Sequence, residues 1–315
     1  MSAFNEGFDA GEMGPIVIEL CKILETAHCP WYQTGMVEGR LPNFFVIGSQ
    51  KSGTSSLFQV LRRHPEIFVP PIKEVNFFFD DATHRLGLGW YQRQFSMAAD
   101  RALCGDISPG YLCNPRTPER IYRLRPNAKL IVILRDPIQR AYSQYWDNRR
   151  RLREPRTFDE LASEPLHHVF VKHRQNYFSR GVYHIYLKRY YELFSRAQIL
   201  PLWFSDLRRS PDDVFRKVFQ FLGVDEHFED EWMTKKANRR TIFDNPLFTF
   251  FFHRPRLAAS LPSGTRWALR WGTEVDYRPA PISAHIVERL HGFYRPHDES
   301  LASLLNTPVP WLDCD

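Results

Sequence analysis

The sequence predicts an α/β protein of three layers, in which helices flank both faces of a central parallel sheet. Short apolar runs alternate along the chain with segments of helical periodicity. The run Lys129–Leu134 is apolar at every position after the lysine, as in a strand buried on both faces. A glycine-containing turn joins a predicted strand, Phe44–Ile47, to a predicted helix, Thr54–Arg63. With 315 residues, the chain is long enough to bury a full core.

The other elements follow from the same alternation and from capping residues. Residues 1–40 are assigned to an N-terminal extension and residues 41–315 to a single domain. Residues 235–280 lose the alternation, so we expect an irregular lid segment there. Strands are predicted at Ile67–Val69 and Gln198–Phe204, a loop at Gly105–Tyr111, and helices at Pro15–Thr26, around Trp90–Phe95, and at Thr117–Leu124, Gly181–Phe194, Pro211–Leu222, Ser283–Tyr294 and His297–Asn306.

The turn after the first strand resembles a phosphate-binding P-loop with a displaced lysine. Gly48, Gly53 and Ser55 keep the spacing of the P-loop template, but Thr54 stands where its lysine belongs. The lysine of this loop, Lys51, comes three residues earlier. A P-loop lysine reaches the β- and γ-phosphates of a nucleoside triphosphate. A lysine inside the loop would instead contact a group on the first 5′-phosphate.

An ordinary strand–helix turn is the alternative interpretation of these glycines. The turn also carries a run of hydroxyl side chains, which suits a phosphate ligand at a helix N-terminus. Together with the lysine and the apolar strand, these hydroxyls favour the phosphate-binding interpretation. The hydroxyl residues are Ser52, Thr54, Ser55 and Ser56.

A second candidate phosphate site follows the strand Lys129–Leu134. Arg135 stands at the carboxyl end of that strand, where ligands bind in open α/β sheets. Asp136 and Pro137 predict an N-cap and first position of a helix that carries Ser143 in its second turn. Arg135 and Ser143 suit one phosphate, although a capped helix with a surface arginine is the alternative. Two such sites fit a nucleotide that bears phosphates at two positions.

Lys73 and Glu74 are candidates for the chemistry itself. The pair follows the strand after the phosphate loop and precedes an apolar run, which places it near the carboxyl edge of the sheet. A carboxylate there suits a general base, whereas a solvated turn is the ordinary interpretation of such a pair. Asp106, in the predicted loop Gly105–Tyr111, is a second candidate carboxylate.

Composition narrows the classes of partner. The net charge of +6 suits an anionic ligand but does not by itself indicate nucleic acid. The five cysteines are scattered without metal-ligand spacing, as in a reducing compartment. The adjacent pair His167-His168 would point apart on a helix, so no metal site is expected. No apolar run reaches the ~18–20 residues of a membrane span, and no signal peptide is recognised. A cytoplasmic protein is therefore expected.

Two further clusters remain open to more than one interpretation. The arginines between residues 149 and 156 are typical of a solvated helix end, but they would also attract an anionic ligand. The run Phe248–Phe252 is typical of core, with a lid or a surface-binding loop as the alternative.

Four segments resemble those of the sulfotransferases that use 3′-phosphoadenosine-5′-phosphosulfate (PAPS), with the closest match in the bacterial and carbohydrate, heparan-sulfate-type branch. The resemblance implies a P-loop-like three-layer fold and a single sulfotransferase domain over residues 41–315, with 235–280 on the acceptor side. It covers most of residues 42–312. The segments are Phe45–Leu57, Lys73–Phe79, Asp106–Tyr111 and Leu130–Tyr145.

The resemblance also implies roles for individual residues. Glu74 would be the general base, with Lys73 beside the sulfonate. The cytosolic branch uses a histidine in the segment that matches Gly105–Tyr111, and no histidine stands there, so Glu74 is favoured and Asp106 is the second choice. Arg135 and Ser143 would hold the 3′-phosphate of the donor. Its 5′-phosphosulfate would be held by Lys51, Ser52, Gly53, Thr54 and Ser55.

One feature of the carbohydrate enzymes has no counterpart in the sequence. They carry a late Lys-Gly-Arg-type loop that closes over the nucleotide, for which Arg239, Arg240 and Arg266 are the candidate substitutes. The expected acceptor is a hydroxylated small molecule or carbohydrate, with an amine as the less favoured alternative, and no nucleic acid is expected. Its pocket is expected around Trp90-Tyr91, Trp146–Arg156 and 235–280. A homodimer is kept open as the assembly.

Two other functions remain as alternatives. A P-loop small-molecule kinase would use ATP and Mg²⁺, but the missing lysine after Gly53 argues against it. A nucleotide-binding scaffold without catalysis is the other. The expected sulfotransferase needs no metal, because Lys51 and backbone dipoles supply the positive field.

Overall fold

The central sheet has five strands, all parallel. The computed structural model describes residues 40–99, 102–164, 166, 177–235 and 280–312, and the backbone of 241–243 and 274–276. The sheet has the order β2-β3-β1-β4-β5. Its strands are β1 (Phe44–Gly48), β2 (Ile67–Phe68), β3 (Leu103–Ile107), β4 (Lys129–Leu134) and β5 (Ile199–Trp203).

Ten α-helices accompany the sheet in the described part of the chain. A separate antiparallel pair consists of β6 (Thr241–Phe243) and β7 (Glu274–Asp276). The helices are α1 (Thr54–Leu61), α2 (Asp81–Arg85), α3 (Gly87–Arg93), α4 (Thr117–Leu124), α5 (Pro137–Arg150), α6 (Phe158–Ser163), α7 (Tyr183–Tyr191), α8 (Phe204–Arg209), α9 (Pro211–Leu222) and α10 (Ala284–Leu305).

Alternate residues of β1 enter two separate cores, which confirms the three-layer prediction. Phe45 and Ile47 pack in one cluster with residues of α7 and α10. Phe44 and Val46 pack on the opposite face with residues of α1 and α9. Side chains of a strand alternate between the two faces of a sheet. An all-apolar strand is therefore stable only where helices cover both faces, as they do here.

The carboxyl ends of β1, β3 and β4 lie together at one edge of the sheet. β1 pairs in parallel with β3 on one side and with β4 on the other. The chain leaves these three strands after Gly48, Ile107 and Leu134. The residues that follow the three strands therefore meet at this edge, as the sequence predicted.

Several predicted boundaries are confirmed. α4, β4 and α9 have the predicted bounds, and the left-handed Gly223 ends α9 with a φ of 80°. Asp136 caps α5 by accepting hydrogen bonds from the N–H groups of Ile138 at 2.7 Å and Gln139 at 3.0 Å.

The C-terminal helix was predicted wrongly as two helices. α10 continues through Pro296 for 22 residues. Proline removes one backbone donor and disfavours the interior of a helix. Both halves of α10 are nevertheless held by buried side chains, Leu290 and Tyr294 before the proline and Leu301 after it. Burial along the whole helix outweighs the local penalty.

The sequence also misplaced Asp106 and the Trp90-Tyr91 pair. Asp106 lies within β3, rather than in a loop that begins at Gly105. Trp90 and Tyr91 are 8% and 0% exposed and belong to the core, so they do not line an acceptor pocket as predicted.

Some predictions lie outside the described residues. Within the described ranges, no helix combines the length and apolar content that a membrane span requires. The predictions outside these ranges concern Pro15–Thr26, His167-His168, Arg239, Arg240, Phe248–Phe252, Arg266 and most of 235–280.

Candidate active site

The loop between β1 and α1 ends at a glycine that no other residue could replace easily. Gly53 is the N-cap of α1 and has a φ of 91°, in the left-handed region that disfavours other residues. A Cβ at Gly53 would lie 2.7 Å from Cδ2 of Leu207, which is closer than carbon atoms approach. The loop therefore bends sharply and packs its backbone against α8.

The N-terminus of α1 presents unpaired backbone donors. No side chain caps α1, and no acidic residue lies in its first turn. The N–H groups of Gly53, Thr54 and Ser55 donate no hydrogen bond to any residue that the structure describes. Such donors, together with the positive end of the helix dipole, bind an anion well. The cradle thus fits the phosphate group that the sequence predicted.

Serine side chains anchor the start of this loop to the neighbouring strand. The hydroxyls of Ser49 and Ser52 lie 2.5 Å apart, and both residues are buried. Ser49 donates from its backbone N–H and from its hydroxyl to the carbonyl of Ile133, at 2.8 and 3.0 Å. The loop is therefore held against the end of β4, beside the second candidate site.

Lys51 faces a carboxylate that the sequence analysis did not identify. Its Nζ lies 3.6 Å from Oδ1 of Asp147 on α5. Burial lowers the pKa of Lys51 below the ordinary lysine value, against the opposing attraction of Asp147. Arg150 and Arg151 also pair with Asp147, at 2.8 and 3.5 Å. Burial acts to raise the pKa of Asp147, but these three cations outweigh it and lower that pKa.

Arg135 lies against the same loop. Its Nη1 donates a 2.9 Å hydrogen bond to the backbone carbonyl of Lys51. Its guanidinium carbon lies 4.7 Å from the ring centroid of Phe204, a cation–π contact. Tyr183 donates a 2.7 Å hydrogen bond to the carbonyl of Arg135. The two predicted phosphate sites are therefore directly joined, and half-buried Ser143 follows in the second turn of α5.

Lys73 and Glu74 form an ion pair at the same edge. Lys73 Nζ donates to Oε1 of Glu74 at 2.9 Å, and the Glu74 side chain is 38% exposed. Glu74 has a φ of 66°, and Asn76 one of 56°. Left-handed backbone at a residue other than glycine is uncommon and costs energy. The N–H of Asn76 donates to Oγ of Ser108 at 3.1 Å, which helps to hold the turn.

Asp106 accepts a hydrogen bond from Ser108, which contacts this turn, and is not a candidate base. It is fully buried and accepts hydrogen bonds from the hydroxyls of Tyr91, Ser108 and Tyr111, each at 2.7 Å. Burial raises its pKa, although these three hydroxyls act in the opposite direction. A carboxylate enclosed in this way has no access to an acceptor. The expectation that Asp106 is the second choice for general base is therefore wrong.

The sequence analysis missed three residues that surround the loop. Asp147 could have been found, because it follows Ser143 by four residues and so shares its face of α5. Gln50 accepts a hydrogen bond from Nη1 of Arg180 across 130 positions of sequence. No local pattern predicts that contact. Among the described residues, no group of three or more His, Cys, Asp or Glu side chains could hold a metal ion.

Comparison with known proteins identifies the family. The model of the sulfotransferase domain matches residues 41–246, more than half of the chain. The chain belongs to the sulfotransferase domain family. This match confirms the resemblance that the four motif segments carried.

Relatives of this sulfotransferase chain include much longer proteins. It is 41% identical over 115 residues, 35% of the chain, to the membrane-associated sulfotransferase kil1 of Dictyostelium discoideum. It is 29% identical over 87% of its length to human bifunctional heparan sulfate N-deacetylase/N-sulfotransferase 3, and 29% identical over 59% to mouse heparan sulfate glucosamine 3-O-sulfotransferase 5. The chain spans 24%, 31% and 54% of the lengths of these three relatives.

A solved sulfotransferase structure shares the fold. The crystal structure of a sulfotransferase from Alicyclobacillus acidocaldarius aligns with a TM-score of 0.65 and 25% sequence identity. The alignment covers 86% of this chain and 98% of the other. The P-loop-like architecture predicted from the sequence is thereby confirmed.

Proposed function

We propose that this protein transfers the sulfonate group of PAPS to a hydroxyl group of an acceptor. The observation that carries this proposal is the contact between Arg135 and the backbone of Lys51. This contact joins the loops that follow two adjacent parallel strands, and both are candidate anion-binding loops. PAPS carries anionic groups at its 5′ and 3′ positions, so it requires two such loops side by side.

The first loop suits the 5′-phosphosulfate. The N–H groups of Gly53, Thr54 and Ser55 donate to no described residue, so they are available to an anion, and Lys51 adds a positive charge to the loop. Arg135 and Ser143 suit the 3′-phosphate, since a guanidinium and a hydroxyl are common phosphate donors. Ser52 is assigned to the same 5′ cradle, where its hydroxyl orders the loop through Ser49.

Glu74 is proposed as the general base. Its carboxylate is partly exposed at the carboxyl edge of the sheet, where an acceptor could reach it. The acceptor oxygen forms a bond to sulfur, the bond between sulfur and the 5′-phosphate oxygen breaks, and the acceptor proton passes to Glu74. Lys73 is paired with Glu74 at 2.9 Å and is proposed to lie beside the sulfonate.

The geometry favours sulfonate transfer over the kinase alternative. Thr54 occupies the lysine position of the P-loop template, and Lys51 points to Asp147 on α5. A P-loop kinase needs its lysine on the β- and γ-phosphates. A lysine held near the first loop residues suits a donor with one 5′-phosphate and a sulfonate.

A carbohydrate is the acceptor class that the relatives support best. Two of the relatives described above are named for heparan sulfate. The acceptor screen described below distinguishes a carbohydrate from a small hydroxylated metabolite. The homodimer and the cytoplasmic location stay predictions.

Calorimetry with two nucleotides tests the donor. The protein should bind 3′,5′-ADP, the product of PAPS, in the presence of a metal chelator, and it should bind ATP with Mg²⁺ far more weakly. Lys51→Ala should weaken binding of 3′,5′-ADP, whereas Lys188→Ala, on the exposed side of α7, should not. Binding of ATP with Mg²⁺ alone would refute the proposal in favour of the kinase.

A screen with ³⁵S-labelled PAPS tests the acceptor. Desulfated and partly sulfated glycosaminoglycans, simple sugars and phenols would be offered in parallel, and label transfer to each would be measured. Transfer to any hydroxylated compound that depends on Glu74 supports the reaction. Glu74→Gln serves as the matched control, because it keeps the shape of the side chain and removes its basicity.

A further inference from the structure

Arg180 lies at the edge of the sheet where the two anion-binding loops meet. It belongs to a short 3₁₀ turn, Ser179–Gly181, just before α7. A Cβ at Gly181 would lie only 2.6 Å from Cβ of Pro137, the first residue of α5. The glycine therefore allows the turn to pack closely over the start of α5. This close packing carries the Arg180 side chain to the loop after β1, where it donates to the side-chain carbonyl of Gln50.

Arg180 lacks the counter-charge that the neighbouring cations have. Lys51 pairs with Asp147, and Lys73 pairs with Glu74. Arg180 forms no ion pair within the described ranges, and its buried Nε has no hydrogen-bond partner there. Burial lowers the pKa of its guanidinium. Arg180 is half-buried. A partly desolvated cation without an ion pair is costly, so such a group is typical of a site that binds an anionic ligand.

Arg180 contacts the loop after β1 and lies near a second arginine. The charge of Arg140 acts to lower the pKa of Arg180, and the charge of Glu74 acts to raise it. Arg140 is fully buried, and its Nε also has no partner among the described residues. Two guanidinium groups thus share this corner of the site. Gln50 of the loop after β1 accepts a hydrogen bond from Arg180.

We propose that Arg180 binds the sulfonate group during its transfer. This inference rests on the function proposed above, and it adds a residue to the reaction. The free Nε–H would donate to a non-bridging sulfonate oxygen, while Nη1 keeps its contact with Gln50. As the acceptor oxygen bonds to sulfur and the bond to the 5′-phosphate breaks, the sulfonate keeps its negative charge. A fixed guanidinium stabilises that charge without reorganisation.

Comparison of PAPS and 3′,5′-ADP isolates the sulfonate contact, because the two ligands differ only in the sulfonate group. Arg180→Gln should weaken PAPS binding by about tenfold or more, as expected for one charge-assisted hydrogen bond. The affinity of the Arg180→Gln variant for 3′,5′-ADP should stay within about twofold of wild type. Both dissociation constants would be measured by calorimetry at low temperature.

The second readout is turnover with water as the acceptor. Release of ³⁵S-labelled sulfate from PAPS would be followed for wild type and for each variant. Arg180→Gln should reduce this rate by ~10²-fold, the effect of removing one fixed donor from a transition state. Arg180→Lys keeps a charge and should retain part of the rate. Thermal midpoints of all variants would show that each is folded.

Gln50→Leu is the matched control for a bracing role. It removes the hydrogen bond between loop and arginine but leaves the Arg180 charge in place. If both Gln50→Leu and Arg180→Gln weaken binding of PAPS as much as they weaken binding of 3′,5′-ADP, Arg180 only braces the loop and the inference is wrong. Unchanged PAPS affinity and turnover in Arg180→Gln would overturn it as well. If wild type itself binds neither nucleotide, the proposed function fails before any variant is compared.

Discussion

The guanidinium of Arg135 donates a hydrogen bond to the backbone carbonyl of Lys51, 84 residues earlier in the chain. The contact joins the loop after β4 to the loop after β1. Phe204 stacks on the same guanidinium at 4.7 Å, and Tyr183 holds the carbonyl of Arg135. Arg135 therefore has two tasks, since it braces the lysine loop and is proposed to bind the 3′-phosphate.

Binding of two nucleotides, one with and one without a 3′-phosphate, separates the two roles of Arg135. Arg135→Ala should weaken binding of 3′,5′-ADP by at least tenfold, because a hydrogen bond to a charged group is worth ~1.5–3 kcal/mol. The same substitution should weaken binding of 5′-AMP much less, because 5′-AMP lacks the 3′-phosphate. Ser143→Ala should reduce the binding free energy of 3′,5′-ADP by a smaller amount, ~1 kcal/mol, because it removes one neutral donor. An equal loss for both nucleotides in Arg135→Ala would mean that Arg135 only braces the loop.

Lys51 should be essential for turnover. Lys51→Ala removes a charge next to the cradle at the start of α1, and we expect kcat to fall by ~10²–10³-fold. Lys188→Ala removes a lysine from the exposed side of α7 and should leave kcat unchanged. Both would be assayed with ³⁵S-labelled PAPS. A normal rate in Lys51→Ala would exclude the proposed role of this loop.

The buried position of Lys51 predicts a pH dependence of nucleotide binding. Only the protonated lysine attracts a phosphate, and burial lowers the pKa of Lys51 below 10.5. As the pH rises through this lowered pKa, the charge is lost and affinity for 3′,5′-ADP should fall. Lys51→Arg keeps its proton over the whole range and should show a flatter profile. If affinity for 3′,5′-ADP depends on pH in the same way in wild type and in Lys51→Arg, the pH dependence belongs to another group.

Glu74 and Asp106 should give opposite phenotypes. Glu74→Gln should lower kcat by ~10²–10⁴-fold, the usual contribution of a general base, and leave 3′,5′-ADP affinity and the thermal midpoint unchanged. Asp106→Asn changes the acceptor of three buried hydroxyl groups and should mainly lower the thermal midpoint. A stable Asp106→Asn protein that had lost turnover would contradict this assignment.

Asp298 on α10 predicts a pH-dependent stability. Burial raises its pKa from 3.8 to about 7, and the charge of Asp136 acts in the same direction. The folded protein therefore binds a proton that the unfolded chain releases, so this group stabilises the fold less as pH rises from 3.8 to about 7.

Asp298→Asn removes this titration. The stability of the variant relative to wild type should rise by roughly 2 kcal/mol between about pH 5 and about pH 8. Urea unfolding at both pH values would measure the difference. A constant offset between the two proteins at all pH values would show that Asp298 does not titrate as expected.

Some elements were predictable because their causes are local. The apolar run of β4, the capping pair Asp136-Pro137 and the terminal Gly223 lie within a few residues of what they determine. The loop after β1 was predicted for the same reason. The break at Pro296 was predicted from an equally local rule and was wrong, because buried contacts on both sides of the proline keep α10 continuous.

The sequence by itself determined the layered sheet, the sulfotransferase resemblance and the residues of the two candidate anion-binding loops. Strand periodicity, caps and glycine turns act over short distances, so they can be recognised in a chain without its fold. Only the tertiary structure decided which distant residues meet. It placed Asp147 opposite Lys51, enclosed Asp106 among three hydroxyls, and brought Arg180 to the loop after β1. These contacts depend on parallel strands ending at one edge of the sheet, where residues far apart in sequence become neighbours.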